Sequence, residues 1–142
     1  MRDPIILRQF DHWLENLINA ARDRIRAVMG DSIDSRYRLD VRQFGRNAAM
    51  GVLEPDMSIG HEVGLLFQIT APEQKLANAL AKSLSHIAVH YPVPEWTGLI
   101  TSVAFPYSPA EIDKGASYRF NMNHVVEPDS PLEMFRIGYE KV

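Results

Sequence analysis

The chain has 142 residues, of which 46% are hydrophobic and 23% charged, with no cysteine and a formal charge of −3 from 15 Lys plus Arg against 18 Asp plus Glu. That is the size and balance of one globular domain able to bury a real core. It excludes a disulfide scaffold, a zinc ribbon and thiol catalysis, and the low charge without a Lys/Arg-rich run argues against a nucleic-acid partner. The longest strictly apolar runs are three residues, such as Ile5–Leu7, so no membrane span is expected. Arg2, Asp3, Arg8 and Asp11 break up the start of the chain, which does not read as a signal peptide, and a cytoplasmic location is expected.

From Pro4 to Met29 the sequence predicts one long helix. Pro4 suits a first turn, and Ile6, Phe10, Leu14, Leu17, Ala21, Ile25 and Val28 recur in steps of three or four as one apolar stripe. Gly30 is the natural C-terminal cap. Such a helix is about 37 Å long, which is long for so small a domain and suggests packing against another chain.

Arg36–Arg42 then alternates, with Tyr37, Leu39 and Val41 on one side, as in a half-buried strand. Gly45-Arg46-Asn47 signals a turn, and Met50–Leu53 reads as a short second strand before Pro55. Glu62–Ile69 is the strongest strand, with Val63, Leu65, Phe67 and Ile69 on one face and Leu66 on the other, as in a central strand covered on both sides. Thr70-Ala71-Pro72-Glu73 has the form of a capping box. A second helix follows through Leu76, Leu80, Leu84, Ile87 and Tyr91, ending before Pro92. Leu99–Phe105 and Tyr118–Val126 read as further strands, Pro131–Phe135 as one helical turn, and Arg136–Val142 as a last strand or an arm. The expected architecture is a two-layer α+β domain over residues 1–142, with a mixed, mostly antiparallel sheet of four to six strands packed with two long helices.

No phosphate-binding glycine loop, Gly-x-Ser-x-Gly elbow or His-Glu-x-x-His motif is present. His86 and His90 share a helix face, but zinc needs three or four ligands and no acidic residue sits beside them, so no metal site is expected. His124 lies on the apolar side of its predicted strand, where its ring needs a partner. It is either a satisfied buried histidine or, with Arg119, Asn121 and Asn123 on the other strand face, part of a polar pocket or subunit seam. Asn121, Asn123 and His124 are the catalytic candidates. Arg46, with Asn47 beside it, is either a hairpin-turn residue or a clamp for a carboxylate or phosphate. Trp96, among Pro92, Pro94 and Gly98, is either an interface anchor or loop packing.

Several stretches together resemble a known family: Gly51-Val-Leu-Glu-Pro55, His61-Glu-Val-Gly64, Ala71–Asn78, His90-Tyr-Pro92, Ala104–Pro109, and Tyr118-Arg-Phe120 through His124 to Glu127–Phe135. The combination is similar to the C-terminal part of acyclic terpene utilisation proteins, the AtuA-type family. The likeness runs from about Tyr37 to Phe135, a region set here as 36–142 beside an N-terminal helix of 1–30. Family members usually carry a large N-terminal region that this chain lacks. The resemblance therefore implies either a separate small accessory subunit of a complex in branched carboxylic acid or acyl-CoA catabolism, or an excised or shortened form of a longer chain, and the first is expected. Its partner would be a larger AtuA-type subunit, a second copy, or both. Hydratase or lyase chemistry at the seam would act on a CoA thioester, and no cofactor is implied. The alternative is a non-catalytic assembly module without active-site contact.

Overall fold

The computed structural model describes residues 1–95 and 103–141. The N-terminal helical stretch is two helices, α1 (Pro4–Arg8) and α2 (Phe10–Met29). Asp3 caps α1 by accepting from the Ile5 backbone N–H at 2.7 Å. The break falls at Gln9, whose backbone leaves helical geometry at φ −117° and ψ 21°. The Gln9 side-chain amide donates to the Ile5 carbonyl at 3.1 Å and to the Pro94 carbonyl at 2.8 Å. A contact with residues far along the chain thus accompanies a bend that local periodicity does not announce. Gly30 closes α2 at φ +85°, its N–H donating to the Arg26 carbonyl. A 3-10 segment, Asp31–Arg36, follows and buries Ile33.

Strands β1 (Arg38–Phe44) and β2 (Gly64–Thr70) form an antiparallel pair in which Arg38 faces Thr70 and Phe44 faces Gly64. Helix α3 (Gln74–His90) packs back against β2 and α2. The inner faces of the two helices meet the hairpin in two apolar clusters. Ile6, Phe10, Trp13, Leu14, Leu17, Val63 and Ala88 form the first, and Ile25, Ile33 and Leu80 the second. Leu39, Val41, Leu65, Phe67 and Ile69 are half-buried, as the period of two requires, while Leu66 on the other face is exposed.

The sheet of four to six strands is not formed. Among the described residues there are two strands, three α-helices and two short 3-10 segments. The chain is still a small α+β protein, but its two long helices cover a hairpin. Met50–Leu53 is not a strand: residues Gly51–Leu53 make a 3-10 turn, entered through Gly51 at φ +59°. A left-handed residue breaks the extended run a strand needs. Leu66 shows that β2 is covered on one face, and its only strand partner among the described residues is β1. Of Leu99–Phe105, residues 99–102 lie outside the described residues, and Val103–Phe105 carries no strand. Tyr118–Val126 is exposed, carries no regular secondary structure and has no ladder partner among the described residues. The Pro131–Phe135 turn is present, closed by Phe135 N–H to the Leu132 carbonyl at 3.1 Å.

The capping box is also absent. Thr70 sits in the β ladder opposite Arg38, and α3 starts after Glu73, which makes no side-chain cap bond. Thr70→Ala should therefore move the urea midpoint by no more than the equivalent of about 0.5 kcal/mol, the range of a surface substitution. A loss above 1 kcal/mol would restore a capping role for the hydroxyl.

Gly45 is one position where the backbone demands glycine. It sits at φ +88°, and a Cβ there would meet the Glu62 carbonyl oxygen at 2.5 Å. Gly45→Ala should cost about 1–2 kcal/mol through left-handed strain alone, read as a lowered denaturant midpoint. An unchanged midpoint would mean the turn can be rebuilt at no cost.

Candidate functional site

Arg46 follows Gly45 out of β1, and the turn holds it close to α2. The Gln43 carbonyl accepts the N–H groups of Arg46, Asn47 and Ala48. This winds the chain so that the Arg46 side chain crosses toward the first turn of α2. Its guanidinium grips the Asp11 carboxylate with both terminal nitrogens, Nη2 donating to Oδ2 at 3.0 Å and Nη1 to Oδ1. Its Nε donates to the Met57 carbonyl at 2.9 Å, Nη1 also reaches Gln43 Oε1 at 3.3 Å, and the group lies 6.0 Å from the Phe10 ring centre. Only 10% of the Arg46 side chain is exposed. A fork already holding a carboxylate and a carbonyl has little left for a ligand. Arg46 ties the hairpin loop to α2, and Asn47 belongs to the same turn, its carbonyl accepting from the Gly51 N–H at 2.8 Å.

The catalytic candidates lie elsewhere. Arg119, Asn121, Asn123 and His124 are all exposed on the extended C-terminal segment. They are not gathered with Arg46 into a pocket. Trp96 lies outside the described residues. His86 and His90 are exposed on α3 with ring centres 5.1 Å apart. Among the described residues no third His, Cys, Asp or Glu joins them or forms another group able to hold a metal.

Two depressions mark the body. The larger, about 480 Å³, is an open groove between the start of the chain and the loop before β2, lined by Arg2, Pro4, Leu7, Arg8, Ile59 and His61. The smaller, about 200 Å³, lies between α2 and the residues after α3, with His12, Trp13, Asn16, Tyr91, Val93 and Pro94. Neither is lined by Arg46, Asn47, Arg119, Asn121, Asn123 or His124. Trp13 could have been found, since it stands three residues after Phe10 and four before Leu17, on the edge of the stripe already identified.

The largest uncovered feature is the C-terminal segment itself. It passes along α3, where the Ser85 hydroxyl donates to Glu111 and the Asn78 amide donates to Asp113 at 3.3 Å. The Ser85 bond holds the Glu111 carboxyl below its usual range, against a smaller opposing effect of burial. Beyond Asp113 the described chain is exposed at every residue. This arm carries Tyr118, Phe120, Met122, Val125, Val126, Leu132, Met134, Phe135, Ile137 and Tyr139, all more than half exposed.

Among the described residues no helix is long and apolar enough to cross a membrane. Comparison of the chain with family models, with curated proteins and with solved structures finds no match.

Proposed function

We propose that the chain is a small accessory subunit of an AtuA-type enzyme complex acting in branched carboxylic acid and acyl-CoA catabolism, and that its work there is assembly. The observation that carries this reading is the arm. Residues 114–141 present a long apolar surface that the body leaves bare, and leaving large apolar side chains in water is unfavourable unless another surface covers them. The stretches Tyr118-Arg-Phe120 and Glu127–Phe135, which contribute to the AtuA-type resemblance, lie within it. The hydratase or lyase step on a CoA thioester belongs, in this reading, to the larger subunit, and the complex is cytoplasmic.

The alternative, in which this chain adds a polar wall to the active site, is weakened by one observation. Arg46 is occupied by Asp11 and Met57, while Asn121, Asn123 and His124 stand apart from it on the arm.

The test is purification of the tagged full-length chain from its native source. The expected result is one larger chain in fixed stoichiometry and turnover of enoyl-CoA or hydroxyacyl-CoA thioesters by the complex. The isolated small chain should show none, and His124→Ala should leave kcat per assembled complex unchanged. Turnover by the isolated chain, or a preparation with no larger partner, would overturn the proposal.

A further inference from the structure

We infer that the arm of one copy adds as a strand, in trans, to the free edge of β1 in a second copy, and that the exchange is reciprocal. This rests on the reading of the arm as a docking element and names one occupant for it.

Both halves of the contact are present in the chain. Tyr118–Val126 alternates apolar and polar residues over nine positions, with Tyr118 93%, Phe120 81% and Met122 75% exposed. It has the pattern of a strand and, among the described residues, no neighbour to pair with. The hairpin has two edges. On the β2 side, Met1 and Val63 exchange two hydrogen bonds of 2.9 Å, which occupies the entry to that edge, and α3 packs against the strand. On the β1 side, the Gln43 carbonyl is taken by the turn. Among the described residues, Arg38–Arg42 make no main-chain bond except those to β2. A bare, regular edge is a template for strand addition, and proteins that do not use one usually blunt or cover it.

Charge selects the direction. The arm's strand-like stretch is followed by Glu127, Asp129 and Glu133, all exposed. Exposed Arg36 stands just before β1 and makes no ion pair among the described residues, while Arg38 beside it pairs with Asp40 at 2.7 Å. Only an antiparallel arm brings the acidic run to that end, with Tyr118 and Phe120 beside exposed Phe44 and Met122 opposite Asp40. A parallel arm would set the acidic run beside Arg46, whose guanidinium is already occupied. In this register Tyr118, Phe120 and Met122 share the outer face of the hairpin with exposed Phe44 and Leu66, so each arm covers apolar surface that the other copy leaves bare.

The absence of cysteine makes a clean test. Full-length Asp40→Cys and Met122→Cys, mixed and oxidised, should give a cross-linked pair about tenfold more abundantly than Glu15→Cys with Met122→Cys, because directly opposed strand residues bring Cβ atoms within disulfide reach. Light scattering should show a dimer at high concentration. Met122→Pro should weaken dimerisation about tenfold by removing a ladder donor, with the far-UV spectrum of the body unchanged. In a chain carrying both Asp40→Cys and Met122→Cys, an intrachain disulfide at high dilution would mean the arm folds onto its own sheet, and would overturn the inference. So would a dimer without preference for the Asp40 pair, or a strict monomer. A monomer that still captures the larger subunit would overturn the exchange alone. A monomer that captures nothing would overturn the docking role as well.

Discussion

Trp13→Ala should be among the most damaging single substitutions in the body, at about 3–5 kcal/mol, the range for emptying a large aromatic site in a packed core. Trp13 is 2% exposed, on the α2 face that meets Val63 and Ala88, and its ring centre lies 6.4 Å from that of Phe10. A small domain holds only about 5–15 kcal/mol in total, so the variant should be largely unfolded in moderate urea. The indole Nε1 makes no hydrogen bond among the described residues. Trp13→Phe therefore removes a buried donor that had no partner to lose, and should cost about 1–2 kcal/mol. Denaturation followed by circular dichroism, which does not depend on the lost fluorophore, measures both. A loss below 1 kcal/mol for Trp13→Ala would mean that α2 does not seat in the core as described.

The second large effect is expected at Arg46. Arg46→Ala removes the grip on Asp11, the bond to the Met57 carbonyl and the packing on Phe10, and should cost about 2–4 kcal/mol. Asp11 is 69% exposed, so the carboxylate left behind is solvated and the loss stays below that of a fully buried pair. Asp11→Asn keeps most of the geometry and should cost about 0.5–1 kcal/mol. Arg46→Lys should fall between the two, because an ammonium cannot hold carboxylate and carbonyl in one planar fork. If Arg46 were instead a ligand clamp with no part in folding, all three would leave the midpoint unchanged.

These two residues show what the sequence could and could not say. The apolar stripe running through α1 and α2 was legible because helix burial repeats every three or four residues, and Ile6, Phe10, Leu14, Leu17, Ala21 and Ile25 are buried as it requires. Val28, at the end of the stripe, is 64% exposed: period tells which side a residue is on, and whether anything reaches that far depends on the neighbouring elements. The two strands were legible for the same reason, through Leu39 and Val41 against Leu65, Phe67 and Ile69. Tyr118–Val126 has the same alternation and forms no strand, since a ladder needs a second edge and alternation says nothing about who supplies it. The role of Arg46 hung on Asp11, 35 residues away, and the break at Gln9 on Pro94, 85 residues away. Contacts of that separation leave no local pattern. The Thr70 capping box failed differently: the motif was local and present, but the β ladder claimed Thr70 first.

Hydrogen exchange along the full-length chain tests the central claim, that a helix-on-hairpin body folds by itself and leaves residues 114–141 bare for another chain. At a dilution where light scattering gives a monomer, amides within α2, α3 and the β1–β2 ladder should be protected, while those of Tyr118–Val126 should exchange at nearly the unstructured rate. On assembly, protection should arise in Tyr118–Val126. Strong protection of those amides in the dilute monomer would contradict the account, because the arm would then already be paired within its own chain.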